Sequence, residues 1–231
     1  MHPMPSSLVM SLFIALCAGL FISLVRNIFA ADQSSRTGAQ TAGVLFLWIV
    51  FLGVLAYGGY FNQDFTQFPP RIALIGAGNL AFLMTMIFSK KIGVWVQNLK
   101  MENLIWIQSF RFILEIILNQ MAKEGTLPQN MTFRGHNFDI LIGLSAPVIA
   151  YLYTQGKVSN QFLKIWNIAG IILVANVLIH GILSAPGVEV LHPEVLNYII
   201  SYFPYVWLPG FFVLTALMLH ILSLRKLYLR T

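Results

Sequence analysis

Charged side chains and cysteine are both scarce in this chain of 231 residues. Only 10% of the residues are charged and 58% are hydrophobic, whereas a typical soluble domain has about 25% charged residues. A water-soluble fold of this length could not bury so much apolar surface. We therefore expect an integral membrane protein whose main partner is the lipid bilayer. The single cysteine, Cys17, excludes an intramolecular disulfide and a metal site made of several cysteines.

Acidic residues are also few, 8 against 14 basic residues, which gives a formal net charge of +6. This excess does not predict nucleic acid as a partner, because Lys and Arg beside membrane spans usually set the orientation of the chain. We expect no nucleic-acid partner. The sequence does not specify an oligomeric state.

Apolar stretches recur along the chain at about the length that crosses a bilayer, roughly 17–25 residues. They predict an all-α fold, a bundle of seven transmembrane helices that forms a single integral membrane domain over residues 1–231. The predicted spans are residues 7–26, 41–61, 71–89, 103–122, 138–154, 163–184 and 206–224.

The basic residues alternate from loop to loop with these spans. The connections after spans one, three, five and seven, with their flanks, are basic: Arg26, Arg36, Lys90, Lys91, Lys100, Lys157, Lys164, Arg225, Lys226 and Arg230. The opposite side has fewer basic residues and most of the acids: Arg71, Lys123 and Arg134, with Asp64, Glu124, Glu189 and Glu194. Lys and Arg concentrate on the cytoplasmic side of membrane proteins. The pattern therefore predicts an outside N-terminus and a cytoplasmic C-terminus.

Two connections have the composition of segments that lie at the membrane surface. Residues 90–102 combine three lysines with Val94, Trp95 and Val96. Residues 193–203 begin at Pro193, a favourable first helical position, and contain Tyr198 and Tyr202. We predict that residues 193–203 form a helix on the outer membrane surface, with the tyrosine rings at headgroup depth.

The fourth predicted span carries a polar stripe. Its polar residues are spaced three, four and four apart, which places them on one face of a helix: Gln108, Arg111, Glu115 and Asn119. A charged residue at the bilayer centre costs roughly 2.5–3.5 kcal/mol on insertion scales, so such residues face the bundle interior or a wet cavity. Arg111 and Glu115 are within reach of each other, and we expect a second partner on another helix. The stripe is either a ligand, ion or proton site, or a buried pair that fixes helix packing.

A second polar group lies at the outer end of the fifth predicted span. It comprises Arg134, His136, Asn137 and Asp139, with Gly135 allowing a tight turn. This density is suited to an anion, a metal or a lipid headgroup. The alternative is a capped helix start with Asn137 or Asp139 as the N-cap.

The sixth predicted span has Asn176, His180 and Ser184 on one face. His220 on the last span differs from His180 in depth by on the order of 10–15 Å, which makes a haem bridging the two unattractive. No metal-hydrolase motif is present, and we expect no metal and no cofactor. We predict that the outer-half polar groups lie together: Glu115, Asn119, Asp139, Asn176 and His180, with Asn79 as a further candidate.

Three stretches resemble a group of uncharacterised bacterial multi-spanning membrane proteins. They are residues 106–115, 133–143 and 203–209, all in the second half of the chain. No activity is associated with that group, so the resemblance implies a protein of the bacterial cytoplasmic (inner) membrane but assigns no catalytic residue.

Three functions remain open. The first is binding or transport of a small solute or ion through the polar interior, which an internal vestibule would favour. The second is a structural or partner subunit, which a dry and fully paired interior would favour. The third is a membrane enzyme acting on a lipid or isoprenoid at the outer leaflet, with Glu115 or His180 as acid or base. A lateral opening at the level of His180 would favour this third function.

Overall fold

The computed structural model describes residues 3–31, 36–62, 67 and 69–229, and these residues form helices and connecting turns without a strand. Asp64 and Arg230, used above for orientation, lie outside the described residues. The helices are α1 (Ser7–Ala31), α2 (Arg36–Tyr57), α3 (Ala73–Phe88), α4 (Lys90–Val96), α5 (Met101–Ile107), α6 (Phe110–Lys123), α7 (Ile140–Thr154), α8 (Asn160–Leu183) and α9 (Val213–Leu229). A wider helical turn at Leu208–Phe212 runs directly into α9.

Among the described residues, four helices are long and apolar enough to cross a membrane. They are α1, α2, α8 and the continuous helix Leu208–Leu229. A fifth span is possible if α3 and α4 count as one, although α4 turns away from α3 by 71°. The all-α prediction is therefore confirmed, whereas seven spans and their orientation stay predictions.

The predicted fourth span, 103–122, is interrupted. The chain leaves α5 at Gln108 and enters α6 at Phe110, and the amides of Arg111 and Phe112 bond carbonyls only three residues back. Two side-chain hydrogen bonds lie at the interruption. The Ser109 hydroxyl donates to its own helix at the Trp106 carbonyl, and the Gln108 amide donates across to the Ala216 carbonyl of α9. The fifth predicted span is also short, because α7 has 15 residues, and a full crossing takes about 20.

The helix containing α9 lies at the centre of the packing. It contacts α3, α4, α5 and α8, while α6 packs between α1 and α7. Two basic residues near its C-terminus bind the carbonyl ends of neighbouring helices. Arg225 donates to the Met86 and Ser89 carbonyls, and Lys226 donates to those of Val96 and Gln97. Cations are stabilised at helix C-termini, so these contacts fix α3 and α4 on either side of their bend.

The segment before α1 is attached to the far end of α6. The backbone N–H and the hydroxyl of Ser6 both donate to the Glu124 carboxylate, at 2.7 and 2.9 Å. The Ser6 N–H is the main reason that the pKa of Glu124 is lowered. This contact places the start of α1 and the end of α6 on the same side of the bundle, as the predicted topology requires.

The surface helix predicted for residues 193–203 is wrong. Only a single tight turn, Ile199–Ser201, is helical there. Tertiary hydrogen bonds compete with the helix. The fully buried Asn197 donates from its backbone to the Ser184 carbonyl and from its side chain to the Gly181 carbonyl. Glu189 and His192, just upstream, have positive φ angles of 50° and 40°, which a helix does not accept.

Candidate functional site

Arg111 is the centre of the polar groups in the bundle. Its side chain is 1% exposed at the start of α6. Its Nε donates to Asp139 Oδ2 at 2.8 Å, and its Nη2 donates to Asp139 Oδ1, which makes a two-pronged ion pair. Such pairs are among the stronger hydrogen-bonded contacts in proteins. The partner of Arg111 is thus Asp139, immediately before α7, and not Glu115 one turn along its own helix.

A second arm extends from Arg111 into the middle of the bundle. Arg111 Nη1 lies 2.8 Å from Nε2 of His220, a fully buried residue of α9. The other ring nitrogen of His220 lies 2.9 Å from Asn167 Oδ1 on α8, and Asn167 Nδ2 donates to the Leu163 carbonyl. Because a guanidinium can only donate, Nε2 accepts and the ring proton lies on Nδ1, toward Asn167.

The opposite arm reaches Glu115, which is 2% exposed. Asn137 Nδ2 donates to Glu115 Oε1 at 2.5 Å and to the Met131 carbonyl at 3.0 Å. Asn137 Oδ1 accepts the backbone N–H of Asp139 at 2.9 Å, so Asn137 positions the carboxylate that binds Arg111. Among the described residues, Glu115 Oε2 has no hydrogen-bond partner of normal geometry. We call this chain of contacts the Arg111 network: Glu115, Asn137, Asp139, Arg111, His220 and Asn167.

Two glycines allow the helices of the network to approach. A Cβ on Gly143 of α7 would lie 2.3 Å from the Phe112 backbone nitrogen, and one on Gly170 of α8 would lie 2.1 Å from His220 Nε2. Trp166 packs on the His220 ring edge to face, with centroids 5.4 Å apart. The residues next to Arg111 and His220 are therefore fixed by backbone contact as well as by hydrogen bonds.

The predicted single cluster of outer-half polar residues is divided. Glu115 and Asp139 share the Arg111 network, but Asn176 and His180 form a separate group with His136. The His136 and His180 rings stack with centroids 5.1 Å apart, and Asn176 Nδ2 donates to the His136 carbonyl. The face of α8 that meets α9 is the one with Asn167 and Gly170, which directs Asn176 and His180 elsewhere.

The remaining candidates lie apart from the network. Gln108 is buried and bonds the Ala216 carbonyl, and Asn119 is buried on α6 without belonging to the chain of contacts above. Arg134 is exposed. Asn79 accepts from Trp48 and donates to the Pro209 carbonyl. The described residues contain no group of three or more His, Cys, Asp or Glu side chains that could hold a metal ion.

The capping interpretation of the outer loop is half right. Asp139 is at the N-cap position of α7, but its side chain makes no cap hydrogen bond, because it faces Arg111. Asn137 supplies the local bond instead. His220 and Asn167 were missed as members of the network. Asn167 could have been noticed as a polar residue three positions before Gly170 in an apolar span.

A lateral cavity of about 290 Å³ lies between α3, α8, the start of the last helix and residues 197–201. Its wall is mainly apolar and includes Gly76, Val177, Gly181 and Val213. Three polar side chains interrupt that wall: Asn79, Asn197 and Ser201. Asn197 Nδ2 donates to the Gly181 carbonyl, whereas its Oδ1 is buried without a partner. Met131 also lines this cavity, and its carbonyl accepts from Asn137 of the Arg111 network.

The all-helical fold, its four or five membrane-length helices and a buried ion-pair network define a class of helical proteins with a polar interior. The chain belongs to the family described as Domain of unknown function (DUF8737), whose model matches residues 71–228. The predicted resemblance to an uncharacterised family is confirmed in that form. No curated protein and no solved structure matches the chain.

Proposed function

We propose that this chain is an integral membrane protein that binds a small amphipathic, lipid-class ligand in the lateral cavity between α3 and α8. The observation that carries the proposal is the pairing of an apolar wall with a buried amide oxygen, Asn197 Oδ1, that has no hydrogen-bond partner among the described residues. Buried polar groups are nearly always hydrogen-bonded, so a ligand hydroxyl or amide is a suitable partner. The cavity volume of about 290 Å³ is at the lower end of the range for small-molecule sites, roughly 300–1,000 Å³.

The cavity favours binding over catalysis. The described residues that line it include no acid, histidine, lysine or arginine. Glu115 and His180, the acid or base considered for a lipid-modifying enzyme, are not among them, although Gly181 is the neighbour of His180. A lateral site without a titratable side chain is suited to holding an apolar molecule.

A direct test fills the cavity. Gly76→Leu places a side chain in the cavity wall without a clash, because a Cβ on Gly76 meets nothing within 4 Å. We expect photolabelling of α3 and α8 by a diazirine-bearing ten-carbon alcohol to fall by about tenfold, equivalent to about 1.4 kcal/mol of binding free energy. Labelled peptides would be quantified by mass spectrometry.

The matched control is Gly19→Leu, on an exposed face of α1 where an added Cβ also meets nothing within 4 Å. That variant should label as the wild type does. Equal labelling of α3 and α8 in the Gly76→Leu variant would contradict the proposal, as would labelling spread evenly over the lipid-facing helices.

A second candidate is binding of a small solute or ion at the Arg111 network. It is supported by Glu115 Oε2, a buried carboxylate oxygen that has no hydrogen-bond partner of normal geometry among the described residues. Apart from that atom the network is well paired, which equally supports a packing role for Arg111 and Asp139. Only the binding function requires cellular activity to be lost when the ion pair is replaced by apolar residues of similar size and stability returns.

We also propose the membrane orientation predicted from the sequence, with residue 157 in the cytoplasm and residue 189 outside. We expect an impermeant thiol reagent, applied to intact cells, to label Glu189→Cys but not Lys157→Cys, both in a Cys17→Ala background. Both positions are exposed on the protein, and the distribution of Lys and Arg places residue 157 in the cytoplasm. Labelling at residue 157 alone would invert the topology. Labelling at both would contradict the odd number of crossings between them.

A further inference from the structure

A large groove, separate from the lateral cavity, lies beside α3. It has a volume of about 920 Å³ and lies between α2 and α3, where Trp48 and Phe51 face Ala81 and Met86. At one end the wall changes character. Gln40, Ser89 and Lys91 line that end, and the described residues that line the groove include no acid.

The bend between α3 and α4 builds the polar end. The chain turns by 71° after Phe88, so the first residues of α4 close one end of the groove. The Ser89 side chain accepts a hydrogen bond from the Ile92 N–H, and the Ser89 carbonyl accepts one from the Arg225 side chain. Lys91 and its neighbour Lys90 are exposed at this end of the groove. The groove therefore ends at a fixed, positively charged platform.

The length of the groove matches one leaflet of a bilayer. Its lining on α2 runs from Gln40 to Phe51, and eleven helical residues at 1.5 Å each span roughly 16 Å. Half of the hydrocarbon core of a typical bilayer is about 15 Å. An acyl chain that begins at the Lys91 platform would thus reach the bilayer midplane near Phe51.

We propose that this groove is a binding site for an anionic phospholipid of the cytoplasmic leaflet. The phosphate lies at Lys91, where a lysine side chain is a suitable point charge for a phosphate. One acyl chain lies against Trp48 and Ala81. Basic residues beside spans on the cytoplasmic side attract anionic lipids. This site rests on the membrane insertion and the orientation proposed above, and it does not depend on the lateral cavity.

The test compares two lipids on the purified protein in a neutral detergent. Phosphatidylglycerol should raise the Tm of the wild type by about 3–6 °C more than phosphatidylcholine at the same mole fraction, because a ligand that binds only the folded state stabilises it. The difference between the lipids should disappear in Lys91→Gln. It should also disappear in Ala81→Trp, which fills the apolar part of the groove. Lys157→Gln, an exposed lysine of the α7–α8 connection, should keep the wild-type difference.

Three results would overturn the site. They are equal effects of the two lipids on the wild type, a difference retained in Lys91→Gln or Ala81→Trp, and a difference lost equally in Lys157→Gln. The last would mean a general effect of surface charge. Retention of the chain in membranes after an alkaline carbonate wash, measured on the same variants, separates failure of this site from failure of membrane insertion.

Discussion

Arg111→Met is expected to destabilise the protein by about 3–5 kcal/mol, because it leaves the carboxylate of Asp139 buried without its counter-charge. The Arg111 side chain is 1% exposed and that of Asp139 is 13% exposed, so little water is available to replace the pair. Removing the guanidinium also takes the donor away from His220 Nε2. The free energy of unfolding of the detergent-purified variant, from a denaturant titration, gives the measurement.

The partner can be identified by a second substitution. Adding Asp139→Leu to Arg111→Met should recover most of the lost stability, because apolar side chains of similar size often replace a buried ion pair at little cost. Adding Glu115→Leu instead should recover much less, because Glu115 bonds Asn137 rather than Arg111. Equal recovery in the two double variants would contradict the network described here.

The same Arg111→Met, Asp139→Leu variant separates a packing role from a binding role. A packing role predicts that a restored fold also restores whatever cellular activity the wild type has. An ion or solute site predicts a stable protein without that activity.

Helical spacing paired Arg111 with Glu115, whereas the ion-pair partner of Arg111 is Asp139, and the network also includes His220 and Asn167. Arg111 and Glu115 are one turn apart, and Asp139 begins the next helix, so helical spacing alone favours the pair on one helix. The choice of Asp139 depends on how α6 packs against α7. That packing depends on Gly143, whose missing side chain brings the two backbones together. The order in which the helices pack determines such contacts, and the periodicity of a single sequence does not indicate that order.

The number of membrane-spanning helices also depends on tertiary contacts that a single sequence does not indicate. Hydropathy correctly predicted the all-helical fold, and the described residues contain four helices, or five with the bent pair α3 and α4, that are long and apolar enough to cross a membrane. It did not find the interruption at Gln108 and Ser109, where the Gln108 side chain donates to the Ala216 carbonyl of another helix. Residues 193–203 were predicted as a helix from Pro193 and two tyrosines, whereas Asn197 binds α8 and holds this segment in an irregular form. Composition is informative about the solvent of a segment and less so about its tertiary partners.

The basic residues of the last helix have a role beyond orientation. Arg225 and Lys226 entered the sequence argument as cytoplasmic charges, yet both bind backbone carbonyls of α3 and α4 or the turns that follow them. Lys226 is 1% exposed. A residue that satisfies the positive-inside pattern can thus also fix the bend that shapes the phospholipid groove.

Gly143→Ala is expected to have the second large effect. Its Cβ would lie 2.3 Å from the Phe112 backbone nitrogen and 2.9 Å from the Phe112 Cα, so no side-chain rotation relieves the contact. Overpacking of a well-packed interior typically costs about 1–3 kcal/mol, and a clash with backbone belongs at the upper end. Gly19→Ala, where the added Cβ meets nothing within 4 Å, should leave stability unchanged or raise it by up to about 1 kcal/mol through helix propensity.

Gly143→Ala should also weaken the ion pair between Arg111 and Asp139. Moving α7 away from α6 separates Asp139 from Arg111, since each lies at the start of one of the two helices. The substitution should therefore cost less in the Arg111→Met, Asp139→Leu background than in the wild type, by about 0.5–3 kcal/mol of coupling. Unfolding titrations of the four proteins in this cycle measure the difference. Additive effects would mean that the glycine contact and the ion pair stabilise the α6–α7 interface independently.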